Sequence, residues 1–526
     1  MANDEGDAPP AGADGAVDHH GDTLPELSSS AAVARMEKLE AVRRRPKNPG
    51  DHPGSPLMWG ILPILFRNAM KMQFGTVEVT GTEHIDNDAG MMTCGWHTNG
   101  LCDPLCVVAT QSKGLVFGGR HDMLTRPVIG WFSSRLGAQP VIRQAEVKRG
   151  VASQEEATRI NSETMLTIAE CIAHGCSTAL FPEGTSHVDS RMKRLRTGPM
   201  RTVIAAHSLS HEKGFSPARL LPVGLHYRTC WKFRTDLYVE YGPPIPKQDL
   251  LHSPEDRQRL LAGEWVEAPA DSVHTLRDRV RDALAPMTPD ADSWEQYASW
   301  EVLAHLRTQA NGGILGTWRE EVHAARDIRD GIRTGAADAP TSEEQEAAIR
   351  IGTTLLEADL DARVLDTNSN TGLRSPEAKE NLAWLPGALL MLAALPLSLI
   401  STAPQAALAK YLGDSTDEGL DARCSYHAIA IILGPVLVWP IPAITLSVLA
   451  WCCADASGYG ALEASLVAMF VFPLSFIVFN ISNRVFLCGY DMFQISKRGR
   501  RLKRFSFSTE AAEVGKDVHS ILGVLK

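Results

Sequence analysis

A histidine and an aspartate in the first fifth of the chain have the spacing of a catalytic pair. His97 and Asp103 stand six positions apart in the segment Cys94–Pro104. A neutral imidazole accepts a proton near pH 7, and a neighbouring carboxylate fixes its tautomer and stabilises the imidazolium as it forms. The pair therefore predicts general-base chemistry on a hydroxyl group.

A second segment places a carboxylate and a glycine at the end of an apolar run. Glu183 and Gly184 follow the run that ends at Phe181. Because α/β proteins bind ligands at the carboxyl ends of their strands, we expect this turn to contact the substrate on which the histidine acts.

Four blocks in order resemble the glycerolipid acyltransferases, enzymes that transfer a fatty acyl chain from a thioester to a glycerol hydroxyl. The blocks are residues 96–104, 120–143, 180–198 and 221–224. One such match would be weak, whereas four in order at suitable distances are strong. The resemblance implies an α/β acyltransferase domain, a mixed sheet flanked by helices, over residues 76–250.

The resemblance also implies roles for particular residues. His97 is the expected base and Asp103 its partner. The expected substrate phosphate-binding residues are Arg143, Glu183, Gly184 and Ser186, since a guanidinium such as that of Arg143 forms two charge-assisted bonds with a phosphomonoester. Additional phosphate or membrane contacts are expected at Arg120, Lys193 and Arg196. Pro222, in the fourth block, is expected to have a structural or acyl-binding role.

Three positions depart from the commonest pattern of the family. Five residues separate His97 from Asp103, where four are commonest, and Trp96 stands where relatives often carry Asn. Gly100 can adopt the backbone conformation that an extra residue requires. Ser186 stands where many relatives have Arg, so one phosphate-binding cation is missing.

The composition limits the remaining classes. The chain has 526 residues and a formal net charge of −10, which argues against nucleic-acid binding. Its ten cysteines show no paired spacing, so we expect a reduced, cytosol-facing protein. A metal hydrolase is the weaker alternative, because neither HExxH nor Cys/His pairs are present. We expect no metal and no cofactor, with acyl-CoA as co-substrate.

Outside the α/β domain, the chain divides by composition. We expect a disordered tail over residues 1–50, because the first 34 residues hold seven acidic residues and neither Lys nor Arg. Residues 51–75 predict a first helix that lies in a membrane interface or is buried. Residues 251–381 are charged and predict a helical extension.

Apolar residues concentrate in a predicted membrane segment, residues 382–485. The runs 428–453 and 461–481 are long enough to cross a bilayer and close enough to form a hairpin. The run 382–402 contains two prolines and is expected to be interfacial or re-entrant. The basic tail, residues 486–526, should stay cytosolic, so we expect an even number of crossings between it and a cytosolic acyltransferase domain.

The resemblance implies an integral membrane enzyme of the endoplasmic reticulum. The expected reaction transfers a fatty acyl group from acyl-CoA to the sn-1 hydroxyl of glycerol 3-phosphate, or of dihydroxyacetone phosphate. A lysophosphatidate acyltransferase is the alternative within the class. A catalytically silent membrane scaffold is the alternative from another class.

Overall fold

A seven-stranded mixed sheet forms the centre of the predicted α/β domain. The structure is a computed structural model that describes residues 16–17, 24, 26–29, 31–33, 36–111, 114–415 and 420–525. The strands are β1 (Val77–Thr80), β2 (Met91–Gly95), β3 (Leu115–Arg120), β4 (Gln139–Val141), β5 (Ser177–Leu180), β6 (Arg219–Tyr227) and β7 (Leu237–Tyr241). The mixed α/β fold predicted from the sequence is confirmed.

The strand order explains which residues can meet. The order is β1-β7-β6-β2-β5-β3-β4. The five strands from β6 to β4 run parallel, and β7 runs antiparallel to β6. The loops after β2 and β5 therefore leave the same edge of the sheet from adjacent strands. They carry His97 and Glu183.

Helices account for most of the rest of the described chain. In its first half they are α1 (Met36–Val42), α2 (Pro56–Gln73), α3 (Cys102–Thr110), α4 (His121–Thr125), α5 (Pro127–Leu136), α6 (Gln144–Lys148), α7 (Gln154–Ala173), α8 (Gly198–Lys213) and α9 (Pro254–Leu261). They continue with α10 (Ala270–Leu284), α11 (Trp294–Ala310), α12 (Trp318–Thr334), α13 (Ser342–Glu357) and α14 (Ala378–Leu382). The last six are α15 (Trp384–Ser401), α16 (Ala403–Asp414), α17 (Leu420–Leu437), α18 (Pro440–Ala456), α19 (Ala461–Phe505) and α20 (Thr509–Leu525).

Helices cover both faces of the sheet. On one face, α7 begins at a capping box formed by Ser153 and Glu156, and its Ile168 and Ile172 pack in one buried cluster with Met92 of β2. On the other face, α2 and α3 share a second buried cluster with β6 and β7. Burial on both faces is what a largely parallel sheet requires.

The structure corrects the predicted disorder in part of the tail. Residues 1–15 lie outside the described residues, but Met36–Val42 is helical and Leu39 is buried. Leu24 and Leu27 pack against Ala145. The average composition of this acidic segment does not show that a few of its apolar residues are buried.

Helix α2 covers most of the segment 51–75, which was expected to be interfacial or buried. Leu62 and Phe66 of α2 are buried beneath the sheet, whereas Leu57, Ile61 and Ile64 on the same helix are exposed. Helix α2 is thus part of the core on one side and apolar on its free side.

The helical extension has its own core, which includes the end of the chain. Ile351 of α13 packs with Val514 and Val518 of α20, and Arg350 forms an ion pair with Asp517. The region predicted as a basic tail is therefore helical and docked on the extension.

Three helical stretches among the described residues are long and apolar enough to cross a membrane. They are Trp384–Ser401, Arg423–Ala456 and Ala461–Phe505. The first is a continuous helix, because α15 runs through Pro396. The run 382–402, expected to be interfacial or re-entrant, is thus helical over Trp384–Ser401.

The second stretch consists of two helices with different surroundings. Ile432 of α17 is buried with α2 in the core of the α/β domain, whereas Trp439, at the start of α18, packs on Phe476 and Phe479 of α19. The two halves of the predicted span 428–453 therefore have different partners, α17 the α/β domain and α18 the helix α19.

Helix α15 lies beside a different part of α19 from α18. The backbones of Gly387 and Gly489 are in close contact, and Ser482 donates a hydrogen bond to the carbonyl of Ala394. Helix α19 has 45 residues, a length of about 67 Å, and a hydrocarbon core is about 30 Å thick. If α18 and the first half of α19 span that core, α15 lies near its boundary. An interfacial α15 remains a prediction.

Candidate active site

His97 and Asp103 form a hydrogen-bonded pair at the carboxyl edge of the sheet. The Nδ1 atom of His97 lies 2.8 Å from Oδ2 of Asp103. The carboxylate is fully buried, and 18% of the His97 side chain is exposed. A proton on Nδ1 leaves the Nε2 lone pair of the histidine as the base. The geometry is therefore suited to removing a proton from a bound hydroxyl group.

Four donors hold the Asp103 carboxylate. Besides His97, the backbone N–H groups of Thr98 and Asn99 donate to Oδ2 at 2.8 and 2.9 Å. The Tyr227 hydroxyl donates to Oδ1 at 2.7 Å. Burial, together with the nearby carboxylate, raises the pKa of Tyr227 well above its usual value. The phenol therefore stays protonated and donates at every physiological pH.

The long spacing between His97 and Asp103 is absorbed by a tight turn. Asn99 accepts backbone hydrogen bonds from Cys102 and Asp103, and Gly100 has a φ of +37°. Asp103 thereby enters the first turn of α3 with its carboxylate directed back at the imidazole. The extra residue is compatible with the pair.

Glu183 positions the loop that carries His97. Its buried carboxylate accepts hydrogen bonds from the His97 backbone N–H at 2.9 Å and from the Lys193 backbone N–H at 2.6 Å. It also lies 2.5 Å from Nε2 of His187. The backbone N–H of His187 donates a hydrogen bond to the backbone carbonyl of His97. In this structure, Glu183 contacts protein groups through both oxygens and joins the loops after β2 and β5.

Phe181 completes the support of the histidine ring. The centroids of the His97 and Phe181 rings are 4.3 Å apart, and the angle between the two ring planes is 20°. Because Nδ1 is bonded to Asp103 and one face is covered by Phe181, the orientation of the imidazole is restricted.

The two predicted phosphate-binding arginines have carboxylate partners. Arg143 donates through Nε and Nη2 to Glu146 at 2.8 and 2.6 Å, and Arg120 forms a similar pair with Asp122. Arg143 follows the edge strand β4, three strands from β2, a separation of about 14 Å. The structure does not bring Arg143 into contact with His97, and phosphate binding by either arginine stays a prediction.

The remaining predicted residues lie around the Glu183 loop or in the sheet. Gly184 has a φ of +75°, a conformation that favours glycine. Ser186 lies in the same loop, and Lys193 is exposed and paired with Asp189. Arg196 donates its backbone N–H to Pro182. Pro222 lies within β6 opposite Cys94, a position in the sheet interior rather than in the substrate loop.

Several supporting residues have no sequence signal that we used. Tyr227 contacts Asp103 of the histidine–aspartate pair, and His187 contacts Glu183. Helix α17 also reaches the site, because Ser425 accepts a hydrogen bond from the Leu101 N–H and Cys424 packs against Cys102. Tyr227 lies three residues beyond the fourth block, at the end of β6, and its contact with Asp103 depends on the pairing of β6 with β2.

Comparisons with known proteins match the part of the chain that contains this site. Residues 76–225 match the family model described as Acyltransferase. An uncharacterized acyltransferase of Schizosaccharomyces pombe is 29% identical over 127 residues, which cover 24% of this chain and 17% of the relative. Glycerol-3-phosphate O-acyltransferase 1 of Saccharomyces cerevisiae is 27% identical over 132 residues, 24% of this chain and 15% of the relative. The chain thus spans less than a fifth of the length of these curated relatives.

A solved structure is also similar. It is the 1-acyl-sn-glycerophosphate acyltransferase of Thermotoga maritima, at 16% identity and a TM-score of 0.28, covering 42% of this chain and 79% of that one. A TM-score this low says nothing further about this chain.

The part of the α/β domain that matches the Acyltransferase model, residues 76–225, contains the histidine–aspartate pair. The chain is thus similar to acyltransferases over this domain, which it combines with three helical stretches that are long and apolar enough to cross a membrane.

Proposed function

We propose that the protein transfers a fatty acyl group from acyl-CoA to the sn-1 hydroxyl of glycerol 3-phosphate, and that dihydroxyacetone phosphate is a further acceptor. The observation that carries the proposal is the intact His97–Asp103 pair. Similarity to a yeast protein named as a glycerol-3-phosphate O-acyltransferase supports the choice of acceptor. A silent scaffold would not need a buried carboxylate held by four donors.

The proposed step uses only groups of this chain and its substrates. Nε2 of His97 removes the proton of the acceptor hydroxyl as its oxygen attacks the thioester carbonyl carbon of acyl-CoA. The new C–O ester bond forms, the C–S bond breaks, and the imidazolium returns the proton to the thiolate of CoA. Asp103 stabilises the imidazolium in between.

The proposed location is the cytosolic face of the endoplasmic reticulum, where acyl-CoA is available. The contacts of α19 support the placement of its C-terminal half and the acyltransferase domain on the same side of the membrane. Arg234 donates to the Asp491 carboxylate through Nε and Nη2, and Arg498 pairs with Asp361 of the extension.

The test is an acyl-transfer assay on the full chain in nanodiscs with oleoyl-CoA. Glycerol 3-phosphate, dihydroxyacetone phosphate and lysophosphatidate are compared as acceptors. His97→Ala should lower turnover by about two to four orders of magnitude, as expected for loss of a general base. His174→Ala, at an exposed site at the end of α7, is the matched control. Wild-type turnover in His97→Ala contradicts the mechanism, and use of lysophosphatidate alone contradicts the acceptor.

A further inference from the structure

Helix α3, which carries Asp103, begins at residues that cannot complete its N-terminus. Leu101 is the N-cap residue of this helix. In a capping box, the side chain of the third helical residue accepts a hydrogen bond from the backbone N–H of the N-cap residue. The third residue of α3 is Pro104, whose side chain has no acceptor atom. The Leu101 N–H therefore needs an acceptor from another part of the chain.

A serine of helix α17 supplies this acceptor. Oγ of Ser425 accepts a hydrogen bond from the Leu101 N–H at 2.9 Å, across 324 positions of sequence. Ser425 belongs to the stretch Arg423–Ala456, which is long and apolar enough to cross a membrane, and it lies beyond the part of the chain that matches the family model. A residue of the predicted membrane segment thus makes the contact that a local side chain makes in a capping box.

Further contacts hold α17 against the same turn. The backbone carbonyl of Cys230 accepts hydrogen bonds from Nδ2 of Asn99 at 2.8 Å and from Sγ of Cys424 at 3.1 Å. Cys424 also packs against Cys102 in a buried cluster. The turn before α3 is therefore held at Asn99 as well as at Leu101, and α17 takes part in both contacts.

The position of this turn decides how Asp103 meets His97. The backbone N–H of Asn99 donates to Oδ2 of Asp103, the same oxygen that contacts Nδ1 of His97. The Asn99 carbonyl in turn accepts a hydrogen bond from the Asp103 N–H. A shift of the backbone at Leu101 therefore moves the carboxylate relative to the imidazole. Small misplacements of reacting groups lower the rate of a reaction even when the groups themselves are intact.

We infer that Ser425 is a positioning residue for the His97–Asp103 pair, and that α17 thereby makes the membrane segment part of the active site. The inference rests on the proposed function, because it concerns the geometry of that reaction. Helix α17 leads into α18, where Trp439 packs on Phe479 of α19. One end of α17 thus holds the catalytic turn, and the other end is fixed among the apolar helices. These helices do more than attach the chain to a membrane.

The contact is tested by hydrogen–deuterium exchange of the full chain in nanodiscs, read by mass spectrometry on peptides that contain Leu101. Ser425→Ala should raise the exchange rate at this amide at least about fivefold, because its hydrogen bond is lost. Ser447→Ala is the matched control, since Ser447 is a buried serine of α18 whose hydroxyl donates to Ala443 of its own helix. Unchanged exchange in Ser425→Ala, or an equal increase in Ser447→Ala, overturns the inference.

The effect on catalysis is tested by steady-state acyl transfer. Ser425→Ala should lower kcat about three- to tenfold, in line with the loss of a capping interaction, while the KM values of oleoyl-CoA and glycerol 3-phosphate stay within about twofold. Ser425→Thr keeps the hydroxyl group and should retain at least about half of the wild-type kcat. An equal loss in both variants, or a rise in KM at unchanged kcat, overturns the positioning role of the hydroxyl.

A double-mutant cycle separates positioning from general stability. If Ser425 acts through Asp103, Ser425→Ala should lower the residual kcat of Asp103→Asn by less than about twofold, whereas an independent structural effect would be additive. The full loss in the Asp103→Asn background therefore overturns the inference.

Exchange and turnover keep the two proposals separable. Acyl transfer by the wild type with unchanged kcat in Ser425→Ala overturns the inference alone. If the wild type transfers no acyl group, the proposed function fails, and the exchange rates still decide whether Ser425 holds the turn.

Discussion

Replacing Tyr227 by Phe tests whether a neighbouring strand tunes the catalytic pair. The substitution removes one hydroxyl group from a buried position and keeps the ring. That hydroxyl is the donor to Oδ1 of Asp103 in the described structure, while three other donors bind Oδ2. Its loss leaves a buried carboxylate oxygen without this bond.

The magnitude follows from the charge on the acceptor. A hydrogen bond to a charged group contributes about 1.5–3 kcal/mol, which corresponds to about 10- to 150-fold in rate if the loss appears fully in the transition state. Because Oδ2 keeps its three donors, we expect the lower end, about tenfold, in kcat. The KM for acyl-CoA should change little, since the lost bond is internal to the protein.

The assay is steady-state transfer from oleoyl-CoA to glycerol 3-phosphate by the full chain in nanodiscs, with Tm from tryptophan fluorescence. Tyr241→Phe is the matched control, because the hydroxyl of that buried residue bonds Thr110 on α3, at the opposite end from Asp103. Unchanged kcat in Tyr227→Phe, or the same loss in Tyr241→Phe, would show that the Asp103 contact has no specific role.

Other consequences can be measured on the same preparation. Glu183→Gln should lower both turnover and Tm, by about 1–3 kcal/mol in stability, because an amide cannot accept from all three donors; full activity would rule out its role in holding the His97 loop. Arg143→Ala should raise the KM of the phosphorylated acceptor more than that of acyl-CoA, and equal changes would mark Arg143 as structural. Burial and Lys247 lower the pKa of His207 to about 4 in the folded chain. Below about pH 6.5 the unfolded chain therefore binds more protons than the folded chain, and the stability falls as the pH falls. His207→Gln should recover about 1–2 kcal/mol of the loss at pH 5, and an unchanged difference in Tm between pH 7 and pH 5 would contradict this. In sealed microsomes, protease should digest residues 506–526 together with the acyltransferase domain; protection of that segment alone would mean an odd number of crossings.

The sequence by itself predicted the α/β domain and a chemistry for it. The four blocks were enough to predict a mixed sheet flanked by helices over residues 76–250, and the seven strands lie between Val77 and Tyr241. The residue types and spacing of His97 and Asp103 were enough to predict a base and its partner. Composition alone found the apolar segments that follow residue 382.

Only the tertiary structure decided which groups support that chemistry. Tyr227 meets Asp103 because β6 lies beside β2, and Glu183 meets His97 because β5 lies on the other side. Strand order is set by long-range pairing, which local periodicity does not encode. For the same reason, the apolar run 428–453 could not reveal that its first half packs on the acyltransferase domain as α17 while its second half follows α19 as α18. Hydropathy measures a preference to leave water, and both protein cores and lipid satisfy it.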